Sequence, residues 1–388
     1  MIKICVVTAN RADYSRVKSV LQAIQLHPNL ELQLVVAGSH LVDHYGMTVR
    51  EIEKDGFPIS AKVHMEFYGN EPTVMAKSTG LAIIEFATIF NNLKPDIVVA
   101  LVDRYENFAS AVASAMMNIP TAHTQGGEAT GTIDESLRHA MTKLAHIHFP
   151  STENAKERII KMGEDPRYVF NVGCPATDIL LSAPKWGMEE VTRYLREKII
   201  KEHNWDFNHS KPHFLVIHHP VTTEFGSGIH QVQETLKALL KFNHQIFMLW
   251  PNIDAGTDDI SRGIRIFKIE NPDFPLYIFK HMPHEIFVNI LRHSVCMVGN
   301  SSGGIRESCY FGVPVVNIGT RQQNRERGEN VLDAGYNAEE IAEAVERQLN
   351  HGKYEPEFVY GDGSAGKKIA EILANIDIRN IIQKKIQY

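Results

Sequence analysis

Ile97-Val98-Val99-Ala100-Leu101-Val102-Asp103-Arg104 is a run of apolar residues closed by an ionisable pair. A run this apolar, without alternation, reads as a strand covered on both faces, as in a parallel sheet. The stretch after it, Asn107–Met117, has helical period. The same succession recurs on both sides. Ile2–Thr8, Leu32–Ala37, Thr121–Thr124, His146–Pro150 and Tyr168–Val172 read as further buried strands. Tyr14–Leu26, Lys77–Asn92 and Glu135–Leu144 read as helices between them. Such alternation predicts a parallel sheet with helices on both faces.

From about residue 176 to 211 no strand pattern occurs, and Met188–Glu202 reads as a helix. The alternation then restarts with His213–His218, Gln245–Trp250, Leu276–Lys280, Val295–Val298 and Val315–Ile318. Two successive α/β Rossmann-like, doubly wound domains explain this better than one very wide sheet. The expected division is an N-terminal domain 1–180, a C-terminal domain 181–364, and a segment 365–388. In that last segment Ala365–Ile382 reads as a helix packing back on the first domain.

Composition sets bounds on partners. At roughly 150 residues per domain, 388 residues hold two or three domains. With 44% hydrophobic and 22% charged residues the chain is ordinary globular protein, which excludes disorder and fibrous repeats. Forty Lys and Arg against 46 Asp and Glu give a net charge of −6, which argues against nucleic acid as a partner. A small anionic ligand needs only a few local donors. The first apolar run is too short for a signal peptide, and Ile97–Val102 is far below the span of about 20 residues a bilayer needs. A soluble cytoplasmic protein with no membrane partner is expected. Cys5, Cys174, Cys296 and Cys309 form no CxxC pair, and the three that sit in or beside apolar runs read as buried reduced thiols.

Open parallel sheets bind ligands beyond the carboxyl ends of their strands, so chemistry is sought there. Asn10-Arg11-Ala12-Asp13-Tyr14-Ser15 follows the first strand and opens a helix, where an anion is favoured; an ordinary capped helix fits equally. Asp103-Arg104 is either an acid/base pair in a ligand cleft or a mutual salt bridge. The segment His123–His139 holds three glycines, Glu128 and Asp134, while Thr132 and Glu135 have capping-box spacing. Two carboxylates beside His123 and His139 are acid/base equipment.

Farther along, His218-His219-Pro220, Trp250–Gly256 and His281-Met282-Pro283 each end a strand. Consecutive strand residues face opposite ways, so at most one of His218 and His219 faces a ligand. Gly299-Asn300-Ser301-Ser302-Gly303-Gly304-Ile305-Arg306-Glu307 joins an apolar strand to a helix through small and hydroxyl-bearing residues, a pattern suited to phosphate. Arg321, Arg325 and Glu329 follow the last strand and can close on the same ligand. Gly361–Lys368 mimics a Walker A loop, but Lys368 stands where Ser or Thr must bind magnesium, so it reads as a helix cap. The 19 histidines lack zinc-site spacing, and neither a metal nor another cofactor is expected.

Taken together, these stretches resemble the hydrolysing UDP-N-acetylglucosamine 2-epimerases of sialic acid-type and legionaminic acid-type pathways. The matching segments include Asn10–Ser15, Gly38–Gly46, Asp103-Arg104, Gly126–His139, His219–Thr223, Pro251–Gly256, Gly299–Glu307 and Gly319–Leu332. The resemblance implies a GT-B-like pair of domains with UDP in the cleft between them. It implies that Arg11, Ser15, Arg104, Gln125, Asn252, Met282, Ser301, Ser302, Glu307 and Arg321 bind the nucleotide sugar. Asp103, Glu128, Asp134, His40, His123 and His219 are the implied catalytic group. One departure is Gln125, where many relatives carry a carboxylate, so acid/base work must fall to Asp103, Glu128 or Asp134.

The implied reaction eliminates UDP to a 2-acetamidoglucal and adds water with C2 inversion, giving N-acetylmannosamine. The resemblance also implies a homodimer or homotetramer, and feedback by CMP-sialic acid through Arg262 and Arg265. Rivals are the same chemistry on a UDP-2,4-diacetamido sugar, a non-hydrolysing 2-epimerase, a GT-B glycosyltransferase, and a nucleotide-sugar sensor without turnover.

Overall fold

The computed structural model describes every residue except 68, 70, 131, 132, 201–205, 253, 281 and 388, and the side chains of 11, 12 and 44. In one six-stranded sheet, β1 (Ile2–Thr8), β2 (Leu30–Ala37), β3 (Ile59–Val63), β4 (Ile97–Leu101), β5 (Thr121–Thr124) and β6 (Ile147–Phe149) lie in the order β3-β2-β1-β4-β5-β6. A second holds β7 (His213–Ile217), β8 (Gln245–Leu249), β9 (Leu276–Phe279), β10 (Cys296–Gly299), β11 (Val315–Ile318) and β12 (Val331–Ala334), in the order β12-β11-β10-β7-β8-β9.

All of these strand pairs are parallel. Read from β9, the second sheet has the same winding order as the first. In each sheet the order therefore reverses at one place, between β1 and β4 and between β7 and β10. Ligands of doubly wound sheets bind outside the strand ends at that switch point.

Residues 1–129, 133–182 and 360–388 form one compact unit, and 183–359 the body of the other. The expected doubly wound α/β class holds in both. β4 and β7 are buried along their whole length, and each large aliphatic side chain so buried contributes about 1.5–3 kcal/mol. All four cysteines are buried thiols.

Three readings need correction. Tyr168–Val172 is not a strand: it follows a 3-10 turn at Pro166–Tyr168 and makes only a single bridge, Val169 to His148. β3 and β12 were not anticipated, because both are short edge strands with polar residues and little burial. The final helix, Ala365–Asn375, stops before Ile382, since Ile376 turns extended and the chain continues as a docked tail.

That tail is tied down by charge. Lys384 donates to the carbonyls of Lys143 and Ala145 (2.8 and 2.5 Å), at the C-terminus of the helix Ile133–Leu144, and pairs with buried Glu164 at 2.6 Å. A cation there suits the helix dipole. Gly366 packs so closely on the helix Arg11–Leu26 that a Cβ would lie 2.6 Å from the Ser19 backbone. The Walker-like segment is already satisfied internally: the Asp178 carboxylate accepts from the Ala365 and Gly366 N–H groups at 3.0 and 2.7 Å.

The helix Pro72–Leu93 has the length and apolarity to cross a membrane by composition alone. Here its Ala82, Phe86 and Phe90 pack against Val7, Val35 and Val98 of the first sheet.

Candidate functional site

In the first unit the site is built from the end of β4. Val102 leaves the strand with a left-handed φ of 56°, costly for a β-branched residue. Two partners hold it there: its N–H donates to the Thr124 carbonyl, and its carbonyl accepts from His123 Nε2 at 2.7 Å. Asp103 is thereby aimed from a rigid position. Its Oδ2 accepts from Nη2 of Arg138, a wholly buried side chain of the helix Ile133–Leu144. Arg138 Nη1 donates to the Glu128 carbonyl at 2.7 Å.

Burial opposes the Arg138 charge, but Asp103, Glu128 and Asp134 more than offset it and hold its pKa above the ordinary value. One buried guanidinium thus pairs with the Asp103 carboxylate and feels the charges of Glu128 and Asp134. Arg138 was not singled out in the sequence, although Asp134 and Arg138 have the i,i+4 spacing of a helical ion pair.

The remaining first-unit candidates divide by environment. Gln125 is buried at the end of β5 with φ 57°, its N–H given to the Phe149 carbonyl. Arg104 donates from Nε to both oxygens of buried Glu106 at 3.3 and 3.2 Å. Beside it, Asp13 accepts from the side chains of Asn10 and Asn107 at 2.8 and 2.9 Å, and Glu66 accepts from Tyr105 Oη at 2.9 Å. Burial and the nearby Glu106 push Asp13 and Glu66 up to about 7. Neither was anticipated.

His40 lies between Thr8 and Thr48 hydroxyls at 3.1 and 2.6 Å, and burial pushes it down to about 4. His123 is pushed down to about 3 by burial. At neutral pH both rings are neutral and act as hydrogen-bonding supports. Ser15 is half-buried on the first helix. The Arg11 side chain and Thr132 lie outside the described residues.

In the second unit, four strand-end loops close into a ring. The Asn252 N–H donates to His219 Nδ1 at 3.1 Å, and Asn252 Nδ2 donates to Asp254 at 2.6 Å. Asp254 lies 4.0 Å from Arg321 Nη2, and Arg321 Nη1 donates to the Asn300 carbonyl at 3.3 Å. Asn300 returns to His219: its Oδ1 accepts from the His219 N–H at 2.7 Å and its Nδ2 donates to the His219 carbonyl at 2.8 Å. Asn252, His219 and Arg321 are therefore brought together, while Asn300 and Asp254 are members that sequence reading passed over.

Ser301 and Ser302 follow half-buried, and Ser301 Oγ accepts from the Gly303 N–H at 3.3 Å. The helix they open is a single turn, Gly303–Arg306, so its dipole is small and the polar groups on offer there are the hydroxyls and Arg321. Glu307 folds back so that a Cβ on Gly303 would meet its carboxylate at 2.8 Å. His218 is buried inward and pushed down to about 3. Met282 is buried among Phe279, Ile286 and Ile290; His281 lies outside the described residues. Arg262 and Arg265 are exposed on the helix Thr257–Glu270, with Arg265 over the Trp250 ring at 5.4 Å.

Two doubly wound units, with carboxylates at the switch point of one and a hydroxyl-and-arginine loop at the switch point of the other, define a protein of the nucleotide-sugar class. A sequence profile described as UDP-N-acetylglucosamine 2-epimerase matches residues 22–374. The chain belongs to that family. It is 36% identical over 384 residues to a hydrolysing UDP-N,N'-diacetylbacillosamine 2-epimerase of Legionella pneumophila, covering 99% of this chain and 98% of that one. It is 31% identical over 388 residues to a UDP-N-acetylglucosamine 2-epimerase of Neisseria meningitidis, covering 99% and 98%. The fold matches the crystal structure of UDP-GlcNAc 2-epimerase from Neisseria meningitidis bound to UDP-GlcNAc, with TM-score 0.78 at 18% identity over 96% of this chain and 99% of that one.

The buried histidines set the sign of a pH effect. Burial pushes His40, His146 and His213 down to about 4, and His123 and His218 to about 3. Their unfolded forms protonate near 6.5. Stability from keeping them neutral is complete above that pH and is lost as pH falls below it. Asp13 and Glu66, raised to about 7, oppose this by taking protons in the folded state. Five groups outweigh two. Stability is expected to fall between pH 6.5 and 5, on the order of 1–4 kcal/mol per pH unit. Urea midpoints at the two pH values check this; an unchanged or higher midpoint at pH 5 would contradict it.

Proposed function

We propose that this protein is a hydrolysing 2-epimerase of a UDP-2-acetamido sugar, releasing UDP and the free 2-epimer. The Asp103–Arg138 pair, with the Glu128 and Asp134 charges acting on the same guanidinium, carries the reading, because epimerisation at C2 requires proton removal and return. Ser301, Ser302 and Arg321 hold the diphosphate, and Glu307 the ribose hydroxyls. Asp103, which follows the doubly held Val102 and is bound by Arg138, takes the C2 proton as the C1–O bond to UDP breaks, leaving a 2-acetamidoglucal. A second carboxyl of the Arg138 group, protonated before the elimination, then gives its proton to C2 from the opposite face and, as a carboxylate, takes the proton that water sheds as its hydroxyl bonds to C1, while Asp103 releases the C2 proton to solvent. Sugar nucleotide and water thus become UDP and the inverted amino sugar, of the kind from which sialic acid-type nonulosonates are built.

C1–O cleavage runs ahead of proton removal, since C2–H is a weak acid. Fixed donors around the departing diphosphate stabilise the charge that develops on it. UDP-N-acetylglucosamine satisfies this chemistry and gives N-acetylmannosamine. A second reading replaces it by UDP-N,N'-diacetylbacillosamine, favoured by the 36% identity to the Legionella enzyme. The two sugars share C1 and C2 and differ at C4 and C6.

Proton NMR in D2O with each sugar nucleotide tests the proposal. Free UDP with the 2-epimer deuterated at C2 is the expected result, and the faster sugar is the substrate. A UDP-linked 2-epimer would mean a non-hydrolysing enzyme. No turnover of either sugar would overturn the reading.

A further inference from the structure

We propose that Asn300 is the positioning residue of the second unit, which acts by fixing His219. Asn300 follows β10 and His219 follows β7, so the pair spans the switch point of the sheet. Asn300 is completely buried, and every polar atom of its side chain is spent on His219, holding both its N–H and its carbonyl. Its own N–H donates to the Ile217 carbonyl at 3.0 Å. Its carbonyl accepts from Arg321 Nη1 at 3.3 Å and from Gln322 Nε2 at 3.0 Å. One residue therefore ties the β7, β10 and β11 loops together.

The consequence is chemical. Because the Asn252 N–H donates to His219 Nδ1, the neutral ring carries its proton on Nε2. That bond forms only while the His219 backbone is kept in register with the β8 loop, and Asn300 is what keeps it there. His219 Nε2–H is then a fixed donor for the departing diphosphate, on the same frame as the Arg321 guanidinium. Gly299, just before Asn300, holds φ 133° with no room for a Cβ, which would lie 2.1 Å from the Ile217 carbonyl oxygen. The strand end is built to bring Asn300 against the neighbouring loop.

The kinetic part rests on the epimerase reading; the spectroscopic part does not. In the ligand-free protein, nitrogen-15 NMR of the His219 ring, assigned with H219Q, should show one tautomer with Nε2 protonated. N300A should give a tautomer mixture, and UDP binding by calorimetry should weaken. In turnover, N300A should lose on the order of 100-fold in kcat, but about 3-fold or less in the H219Q background, since the two residues act as one unit. Should N300A fail to fold, N300D keeps the acceptor for the His219 N–H and loses the donor to its carbonyl. It should then show the tautomer mixture at neutral pH, since its carboxylate cannot donate to the His219 carbonyl. An unchanged His219 spectrum in N300A and N300D, or equal kcat losses in both backgrounds, would overturn the assignment. An inactive wild type with the expected spectra would sink the epimerase reading alone.

Discussion

Asp103→Asn is expected to lower kcat/KM by about 10²–10⁴-fold while UDP affinity changes by about twofold or less. The substitution is nearly isosteric. The amide oxygen can still accept from Arg138 Nη2, so the contact that places the side chain survives and only the basic charge is lost. Val102 and His123 hold the backbone just before it, so the amide sits where the carboxylate sat. Calorimetry with UDP separates binding from chemistry, and the D2O assay reads C2 exchange directly. Loss of UDP release and of C2 deuteration together fits a base acting in the elimination. Turnover within about tenfold of wild type would move the role to Glu128 or Asp134, which share Arg138 and are tested by the same amide replacements. With Gln125 unable to titrate, no carboxyl at that position substitutes for Asp103.

Much of this arrangement is legible in the sequence because doubly wound sheets place ligands after their strands. Asp103, His219, Asn252 and Ser301 stand directly after apolar runs, as the sequence places them, and the central strands were read to within a residue or two. The failures have a common physical origin. β3 and β12 are edge strands, where one covered face is enough and the apolar signal thins out. His123 read as acid/base equipment by type and His40 entered through the resemblance; burial lowers both pKa values, an effect of the fold that residue type does not carry. Arg138 and Asn300 matter through what converges on them in three dimensions. An arginine inside an amphipathic helix and an asparagine in a glycine-rich turn give no sign of that on their own.

Arg138→Met tests the most consequential of these convergences. A buried charge pair broken on one side costs about 3–5 kcal/mol, because the remaining charge stays buried without its partner. Arg138 is fully buried and Asp103 is 8% exposed, so water cannot replace the guanidinium. The Glu128 carbonyl loses its donor as well. Methionine fills much of the volume, so a cavity is not the main cost. In calorimetry the transition of the first unit should fall by roughly 10 °C, while that of residues 183–359 stays in place, since Arg138 belongs to the other unit. Arg138→Lys should recover only part of the loss. A single ammonium on a flexible stem does not reproduce the fork that reaches both the Asp103 carboxylate and the Glu128 carbonyl. Activity should fall in both variants by more than stability explains, because methionine removes the charge beside the three carboxylates and lysine keeps it without the fork that holds Asp103. A destabilisation below about 1 kcal/mol, the range of exposed ion pairs, would show that Arg138 does not organise this site, and the assignment of Asp103 would lose its structural basis.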